Sequence, residues 1–199
     1  MFDTDRFIAD CRAARAADRS HRHVQEVVAR AMTHPASVLE HLGAPRRAGL
    51  HKLHQSSELT VLNVVWAPMM TMVPHNHNMW VVIGIYTGRE DNIFWRRVQG
   101  ARRGRLEATG AKALCAGDVQ PLGRDIIHSV TNPISRFTGA IHVYGGDFFA
   151  PARRSEWDPE TLLERPWDPH KAVRRFEEAN ERLKGLDSGS AHGAELPSR

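Results

Sequence analysis

The first part of the chain repeats apolar residues at helical spacing. The pattern predicts two amphipathic helices between residues 5 and 32, the second of which ends before Pro35. Ser37 and Glu40 have the spacing of a capping box, and Gly43 signals a helix end, so a short third helix is predicted from Ser37 to Gly43. The apolar positions of the first two helices are Phe7, Ile8, Cys11, Ala14, Val24, Val27, Val28 and Ala31.

Near residue 50 the helical spacing gives way to short runs of β-branched and aromatic residues. Such runs predict strands, and Gly or Pro turn signals separate them, including Gly88 and Gly110. Short strands at near-regular spacing are typical of an all-β sandwich or barrel, which we place at about residues 50 to 150. The clearest runs are Leu59 to Trp66, Val81 to Tyr86, Ile93 to Val98 and Gly139 to Tyr144.

Helical signals return after the barrel. Asp158 and Asp168 are each followed by Pro, which places Asp at an N-cap and Pro at the first helical position. We therefore predict two C-terminal helices within residues 158 to 185, the last ending near Gly185. Residues 188 to 199 are small and polar, which predicts a disordered tail. The prediction is a single domain over residues 1 to 187, with helices at 5 to 43 preceding the barrel.

Length and charge narrow the function classes. The 199 residues suffice for one sizeable core. The formal net charge is +4, but the basic residues are scattered and no aromatics are interleaved with them, so we expect no nucleic-acid partner. The longest apolar run, Met79 to Tyr86, is too short to span a bilayer, and the N-terminus has no signal-peptide pattern. Cys11 and Cys115 give no disulfide framework. We expect a cytoplasmic protein with no membrane partner.

His75 and His77 are the first candidates for chemistry. Residues two apart on a strand share a face, so both imidazoles would project into whatever the strand encloses, as a chelating pair. The pair alone does not settle a metal site, because the chain has 12 histidines and His21 and His23 form a second such pair.

A second segment changes this. Gly117 to Asn132 contains a glycine turn, a Pro-x-Gly turn, and His128 followed four residues later by Asn132. Together with His75 and His77, the segment resembles the two metal-binding motifs of the cupin superfamily. This resemblance implies a mainly β fold, the double-stranded β-helix or jelly-roll barrel, here with flanking N- and C-terminal α-helices.

The first cupin motif usually carries a Glu a few residues beyond the histidine pair, where this chain has Val81 and Val82. The implied ligand set is therefore three neutral imidazoles, His75, His77 and His128. Without a carboxylate ligand a divalent ion keeps its full charge, so it attracts an anionic substrate atom such as a thiolate. Imidazole ligands suit Fe, Ni, Cu or Zn.

Three stretches of the sequence narrow the resemblance further: Pro74 to Glu90, Asp125 to Asn132, and Ile141 to Gly145. They look like the corresponding parts of the thiol dioxygenases, the cysteine dioxygenase-like branch of the cupins. Trp80 and the turn at Gly88-Arg89-Glu90 look closer to bacterial members of the 3-mercaptopropionate type. The resemblance covers about half of the chain.

Members of that branch use Fe(II) and dioxygen to convert a small thiol to its sulfinic acid. The resemblance therefore implies Fe(II) as cofactor, which Ni, Zn or another divalent metal could replace in a purified sample. The partners it implies are a small mercapto-carboxylate and O2, and the expected state is a monomer or homodimer.

The resemblance also assigns roles near the metal. His142 and Tyr144 match the family's His-x-Tyr pair, with the tyrosine hydroxyl beside the substrate and the histidine orienting it. The family's Ser two residues earlier is replaced by Ala140. Arg153 has the spacing of the arginine that binds the substrate carboxylate, and a guanidinium suits that role. Arg153 and Arg154 could instead be a solvated start to the C-terminal helices.

Other residues have less defined roles. We interpret Glu90 as part of the strand turn rather than of the chemistry. An upstream substrate-binding residue cannot be chosen among its candidates, which are Arg46, Arg47, His51, His54 and Gln55. The expected barrel lining or wall comprises Trp66, Met69, Met70, Met72, Trp80, Phe94 and Trp95.

Two other functions remain open at this point. A different three-histidine cupin dioxygenase, such as one that cleaves a dicarbonyl compound, would use the same metal site without needing His142, Tyr144 or Arg153. A non-catalytic cupin that binds a metal or a ligand is the second alternative.

Overall fold

The computed structural model describes residues 1–100, 105–150 and 153–190. Three helices precede the strands and one follows them. Their bounds are α1 Thr4–Ala17, α2 Arg22–Met32, α3 Pro35–Leu42 and α4 Pro169–Ser190. No helix in these ranges is both long and apolar enough to cross a membrane.

The strands form two antiparallel sheets, each with a block of four strands that is extended at one edge by further strands, β1 in one sheet and β10 and β11 in the other. The first sheet has the order β1-β2-β9-β4-β7, and the second has the order β11-β10-β3-β8-β5-β6. The first contains β1 Gly49–Gln55, β2 Thr60–Trp66, β4 Val81–Thr87, β7 Val119–Leu122 and β9 Thr138–Tyr144. The second contains β3 Thr71–Asn76, β5 Arg89–Arg97, β6 Leu106–Cys115, β8 Ile127–Thr131, β10 Ser155–Trp157 and β11 Glu164–Pro166.

This strand order defines the fold. Between β2 and β9 the chain passes repeatedly from one sheet to the other, and the eight strands pair as β2-β9-β4-β7 and β3-β8-β5-β6. Two sheets connected in this way form the double Greek key of a jelly roll. The predicted fold class, a mainly β jelly-roll barrel with helices on either side in sequence, is confirmed.

The two faces of β4 explain why its sequence is apolar throughout. Val81, Ile83 and Ile85 belong to the core between the sheets, whereas Val82 and Tyr86 pack in a second core with the N-terminal helices. Alternate side chains of a strand point to opposite faces, so a strand that is covered on both faces carries apolar residues on both.

The start of α3 differs from the prediction. The helix begins at Pro35, with His34 at the N-cap position, and Ser37 lies inside its first turn. The Ser37 hydroxyl instead accepts a hydrogen bond from the backbone N–H of Phe2, 2.7 Å away. Proline suits a first helical position because its missing N–H has no intrahelical partner there. The predicted capping box was therefore wrong.

The first predicted C-terminal helix is also wrong. Asp158 begins a tight turn between β10 and β11, where its carboxylate accepts backbone N–H groups of Glu160 and Thr161. Asp168 does precede a helix, and α4 continues to Ser190, beyond the predicted end at Gly185. Residues 191–199 of the predicted tail lie outside the described residues.

Gly110 does not mark a turn either. It lies within β6 and pairs with Phe94 of β5, whereas Gly88 joins β4 to β5 with a positive φ of 82°. The two cysteines are free thiols, Cys11 buried and Cys115 exposed.

Gly84 of β4 allows α2 to pack closely against the barrel. A Cβ atom added there would lie 2.7 Å from Val28 Cγ1 and 2.9 Å from Met32 Cγ. We expect Gly84→Ala to lower the free energy of unfolding by about 1–3 kcal/mol, the usual cost of overpacking a core. Gly110→Ala is the matched control, because a Cβ there would meet no atom within 4 Å. Urea unfolding of both variants checks this, and equal stabilities would contradict it.

Candidate metal centre

The three predicted metal ligands lie together between the two sheets. His75 in β3 and His128 in β8 are register partners in one sheet, and His77 follows the last residue of β3. The ring centroids of the three histidines are 4.7 to 5.1 Å apart. One ring nitrogen from each lies within 4.8 Å of the others. Among the described residues, this is the group of histidine, cysteine or acidic side chains that could hold a metal ion.

The spacing of the nitrogens fits coordination. Nε2 of His75 and Nε2 of His77 are 3.1 Å apart. Metal–nitrogen bonds of about 2.1 Å at right angles would place two ligand nitrogens about 3 Å apart.

Hydrogen bonds on the far side of two rings fix their tautomers. The Val73 carbonyl lies 2.9 Å from Nδ1 of His75 and accepts its proton. Asn92 Oδ1 lies 2.7 Å from Nδ1 of His128, and it must accept because the Asn92 amide nitrogen donates to Glu90. Both Nε2 atoms therefore carry lone pairs, and Nε2 of His128 is buried without a hydrogen-bond partner in the described part of the chain. A divalent metal ion would satisfy these lone pairs, so the residues fit the group.

Burial also keeps the ligands neutral. It lowers the pKa of His75 to about 4. Burial, followed by the charges of neighbouring histidines, lowers the pKa of His77 and of His128 well below the usual value. All three imidazoles are therefore unprotonated at pH 7, which is the form that binds metal ions.

His142 and Tyr144, predicted to act beside the metal, lie on the same face of β9. The Tyr144 hydroxyl is 3.1 Å from Nδ1 of His142. The Tyr144 ring contacts His77, with centroids 5.2 Å apart. Burial, with the negative charge of Glu90 as the next cause, raises the pKa of Tyr144, so its hydroxyl is protonated at neutral pH.

These side chains line one small cavity of about 40 Å³. The three ligands, His142 and Tyr144 form its polar side, and the rest of the wall is apolar. Leu50 of β1 reaches it, but none of the upstream polar candidates does. Of the residues expected to line the barrel, Trp66 and Met72 do so, whereas Met69 is exposed.

Helix α4 supplies part of the wall. Ala172 and Phe176 lie one helical turn apart and both line the cavity, as does Trp167 just before the helix. Glu156 of β10 is buried and lies 3.2 Å from the Arg175 guanidinium of α4. This ion pair connects the helix to the strand that pairs with β3 next to His75.

The two adjacent arginines differ in position. Arg153 is exposed, although the sequence resemblance assigns it the substrate carboxylate, and neither of the two arginines lines the cavity directly. Arg154 is buried, with its guanidinium carbon 4.2 Å from the Trp167 ring centroid and 5.0 Å from that of Phe148, and both rings line the cavity. One terminal nitrogen of Arg154 donates to the Phe148 carbonyl at 2.6 Å, while Nε and Nη1 have no partner in the described residues.

Sequence reasoning missed two buried polar residues of β5. Glu90 is fully buried behind His142, and Asn92 is fully buried behind His128. Their spacing of two residues on a strand is the signal that could have placed them on the inward face.

Comparison with known proteins adds a likeness of fold. No protein-family model matches the chain. A cupin family protein with a double-stranded β-helix fold from Methanocaldococcus jannaschii is 13% identical over 52% of this chain and 84% of its own, with a TM-score of 0.43. Oxalate decarboxylase from Bacillus subtilis is 13% identical over 57% of this chain and only 29% of its own, with a TM-score of 0.43. A Bacillus halodurans protein is 14% identical over 53% of this chain and 75% of its own, with a TM-score of 0.44.

At this level of identity the fold assignment depends on the strand order rather than on any one relative. The strand order and the three-histidine group together define a jelly-roll barrel that encloses three histidines able to hold a divalent metal ion.

Proposed function

We propose that the protein is a non-haem, Fe(II)-dependent thiol dioxygenase that oxidises a small mercapto-carboxylate to its sulfinate. The observation that carries the proposal is the convergence of three neutral imidazoles on one small cavity beside the Tyr144 hydroxyl, with the buried Arg154 against the Phe148 and Trp167 rings of the cavity wall. The resemblance of the sequence motifs to thiol dioxygenases selects this reaction from those open to a three-histidine site.

The metal would be held by Nε2 of His75, His77 and His128. Bound Fe(II) supplies a +2 charge that favours the thiolate form of the substrate and a redox centre that can use dioxygen. The overall reaction is balanced, since one thiol and one O2 give one sulfinic acid.

Arg154 is the residue we assign to the substrate carboxylate, in place of Arg153. Its two unpartnered nitrogens provide N–H donors for a carboxylate, and a charge-assisted bond of this kind also relieves a buried, unsatisfied donor. The guanidinium lies over the rings of Phe148 and Trp167, which hold it in place.

Tyr144 supplies a protonated hydroxyl to the polar side of the cavity, next to His77. Its hydroxyl can donate to a substrate or oxygen atom, and His142 at 3.1 Å holds the hydroxyl in position. The apolar walls formed by Trp66 and Phe176 exclude water, which strengthens both of these polar contacts.

Metal analysis combined with oxygen uptake tests the proposal. The iron-loaded protein is expected to consume one O2 per 3-mercaptopropionate or cysteine and to form the sulfinate, with lower efficiency on cysteamine, which has no carboxylate. A sample stripped of metal by a chelator is the control. If an iron-loaded sample oxidises none of the three thiols, the proposal is wrong, and turnover of a dicarbonyl compound would identify the other class of three-histidine enzyme.

A further inference from the structure

Glu90 is a carboxylate enclosed by the barrel, and its hydrogen bonds are specific. Its Oε2 accepts the indole N–H of Trp66 at 2.8 Å, and its Oε1 accepts an amide N–H of Asn92 at 3.0 Å. Each oxygen thus accepts from a neutral donor. Because a buried charge is costly unless it is well compensated, a carboxylate with only two neutral donors is expected to have a further donor nearby.

His142 is that partner. Its Nε2 lies 3.6 Å from Oε2 of Glu90, and within the described ranges it has no closer hydrogen-bond partner. Ala140, two residues earlier on the same face of β9, has no polar side-chain atom to offer. Contacts of this kind are often long before substrate binds and shorten in the working complex.

The same carboxylate is connected to the metal ligands. Asn92 donates to Glu90 with its amide nitrogen and accepts from Nδ1 of His128 with its amide oxygen. A continuous series of polar contacts therefore runs from His128 through Asn92, Glu90 and His142 to the Tyr144 hydroxyl.

We propose that Glu90 is a positioning residue for His142 and, through it, for Tyr144, whereas the sequence resemblance assigns only His142 to orienting Tyr144. The inference rests on the proposed function for the role of Tyr144 in the reaction. The contacts of Glu90 with His142 and of His142 with Tyr144 do not depend on that function. Glu90 accepts the Nε2 proton of His142, which leaves Nδ1 as a lone pair facing Tyr144. The Tyr144 O–H then donates to Nδ1, so its oxygen lone pairs and its proton have fixed directions beside the substrate.

Glu90→Gln is the variant that tests this, because it keeps the size and removes one acceptor. Trp66 donates to Oε2 and Asn92 to Oε1, so the single oxygen of a glutamine can accept from only one of them. With that oxygen toward Asn92, whose amide is held by His128, the NH2 group takes the place of Oε2, faces His142 Nε2 and leaves the Trp66 N–H without its acceptor. Asp91→Asn is the matched control, since it removes a carboxylate from the next residue of β5, where Asp91 pairs with Arg89 at the surface.

The direct measurement is the tautomer of His142 by 15N NMR of histidine-labelled protein loaded with Zn(II), a d10 ion. The His142 signal is identified by its absence in a His142→Gln variant. Wild type and Asp91→Asn are expected to have the proton on Nε2, and Glu90→Gln to move it toward Nδ1. An Nδ1 proton in the wild type, or no change in Glu90→Gln, overturns the inference, and the wild-type spectrum decides even if the variant does not fold.

Kinetics of the iron-loaded variants give the second readout. We expect kcat of Glu90→Gln to fall by about 10- to 100-fold with full iron content, the usual effect of losing a second-layer contact. KM should change by less than about 3-fold, because the substrate-binding groups are intact. A loss confined to KM, or equal losses in Asp91→Asn, overturns the inference. If the wild-type protein oxidises no thiol, the proposed function is contradicted. The tautomer measurement tests the position of Glu90 in either case.

Discussion

Replacing His77 with alanine is expected to abolish metal binding and with it the oxidation of thiols. Two imidazoles would remain, whereas catalytic sites of this type use three protein ligands. A metal supplies several kcal/mol of catalysis, which corresponds to a loss of at least about 1,000-fold in turnover. The measurements are iron content after dialysis and oxygen uptake with 3-mercaptopropionate.

His23→Ala is the matched control for this variant. His21 and His23 have the same spacing, but His23 lies on helix α2 with His21 at its N-cap, where residues two apart point in different directions. We expect His23→Ala to keep its iron. Thermal unfolding adds a test independent of turnover, since a divalent metal should raise the melting temperature of wild type and His23→Ala but not of His77→Ala. Equal stabilisation of all three would place the metal elsewhere.

Arg154→Met is expected to raise KM for 3-mercaptopropionate by about 10- to 100-fold, because a hydrogen bond to a charged group contributes about 1.5–3 kcal/mol. Methionine keeps much of the packing against Phe148 and Trp167 while removing the N–H donors. The change in kcat should be smaller, since the lost contact holds the substrate rather than the reacting atoms.

Arg153→Met separates the two arginines. The exposed Arg153 is expected to tolerate the change with KM within about 2-fold of wild type, as surface substitutions usually do. Cysteamine adds a second control, because a substrate without a carboxylate should not distinguish Arg154→Met from wild type. If Arg153→Met raises KM and Arg154→Met does not, the assignment of the carboxylate to Arg154 is wrong.

The candidate metal ligands could be predicted from sequence by two different routes. Period two places His75 and His77 on one face of a strand, whereas His128 was added by the resemblance of its segment to the second cupin motif. Period two also placed His142 and Tyr144 on one face of β9. The placement of all five around one cavity agrees with these expectations.

The predicted helix at Asp158 was wrong because a helix start and a tight turn can have the same local sequence pattern. An Asp carboxylate that accepts backbone N–H groups two or three residues on is found both at a helix N-cap and in an Asx turn. Asp158 forms the turn and Asp168 precedes the helix, although both are followed by Pro. The choice depends on whether the following residues pack as a helix, which the local pattern does not contain.

The adjacent arginines show a different limit. One residue of offset decides which side chain of an irregular segment faces inward, and β10 is too short for its period to be recognised in sequence. Glu90 was misassigned for a related reason, because the turn at Gly88 is a strong signal and hides the inward face of the strand that begins directly after it.

The wall contributed by α4 separates two properties of the proposed enzyme. Its reactivity would depend on side chains of the barrel strands, whereas the room for a substrate's tail would depend partly on Ala172 and Phe176, which lie on a different segment of the chain. Substituting these two helical positions would therefore change which substrates fit, while the side chains proposed to hold the metal and to move protons keep their places.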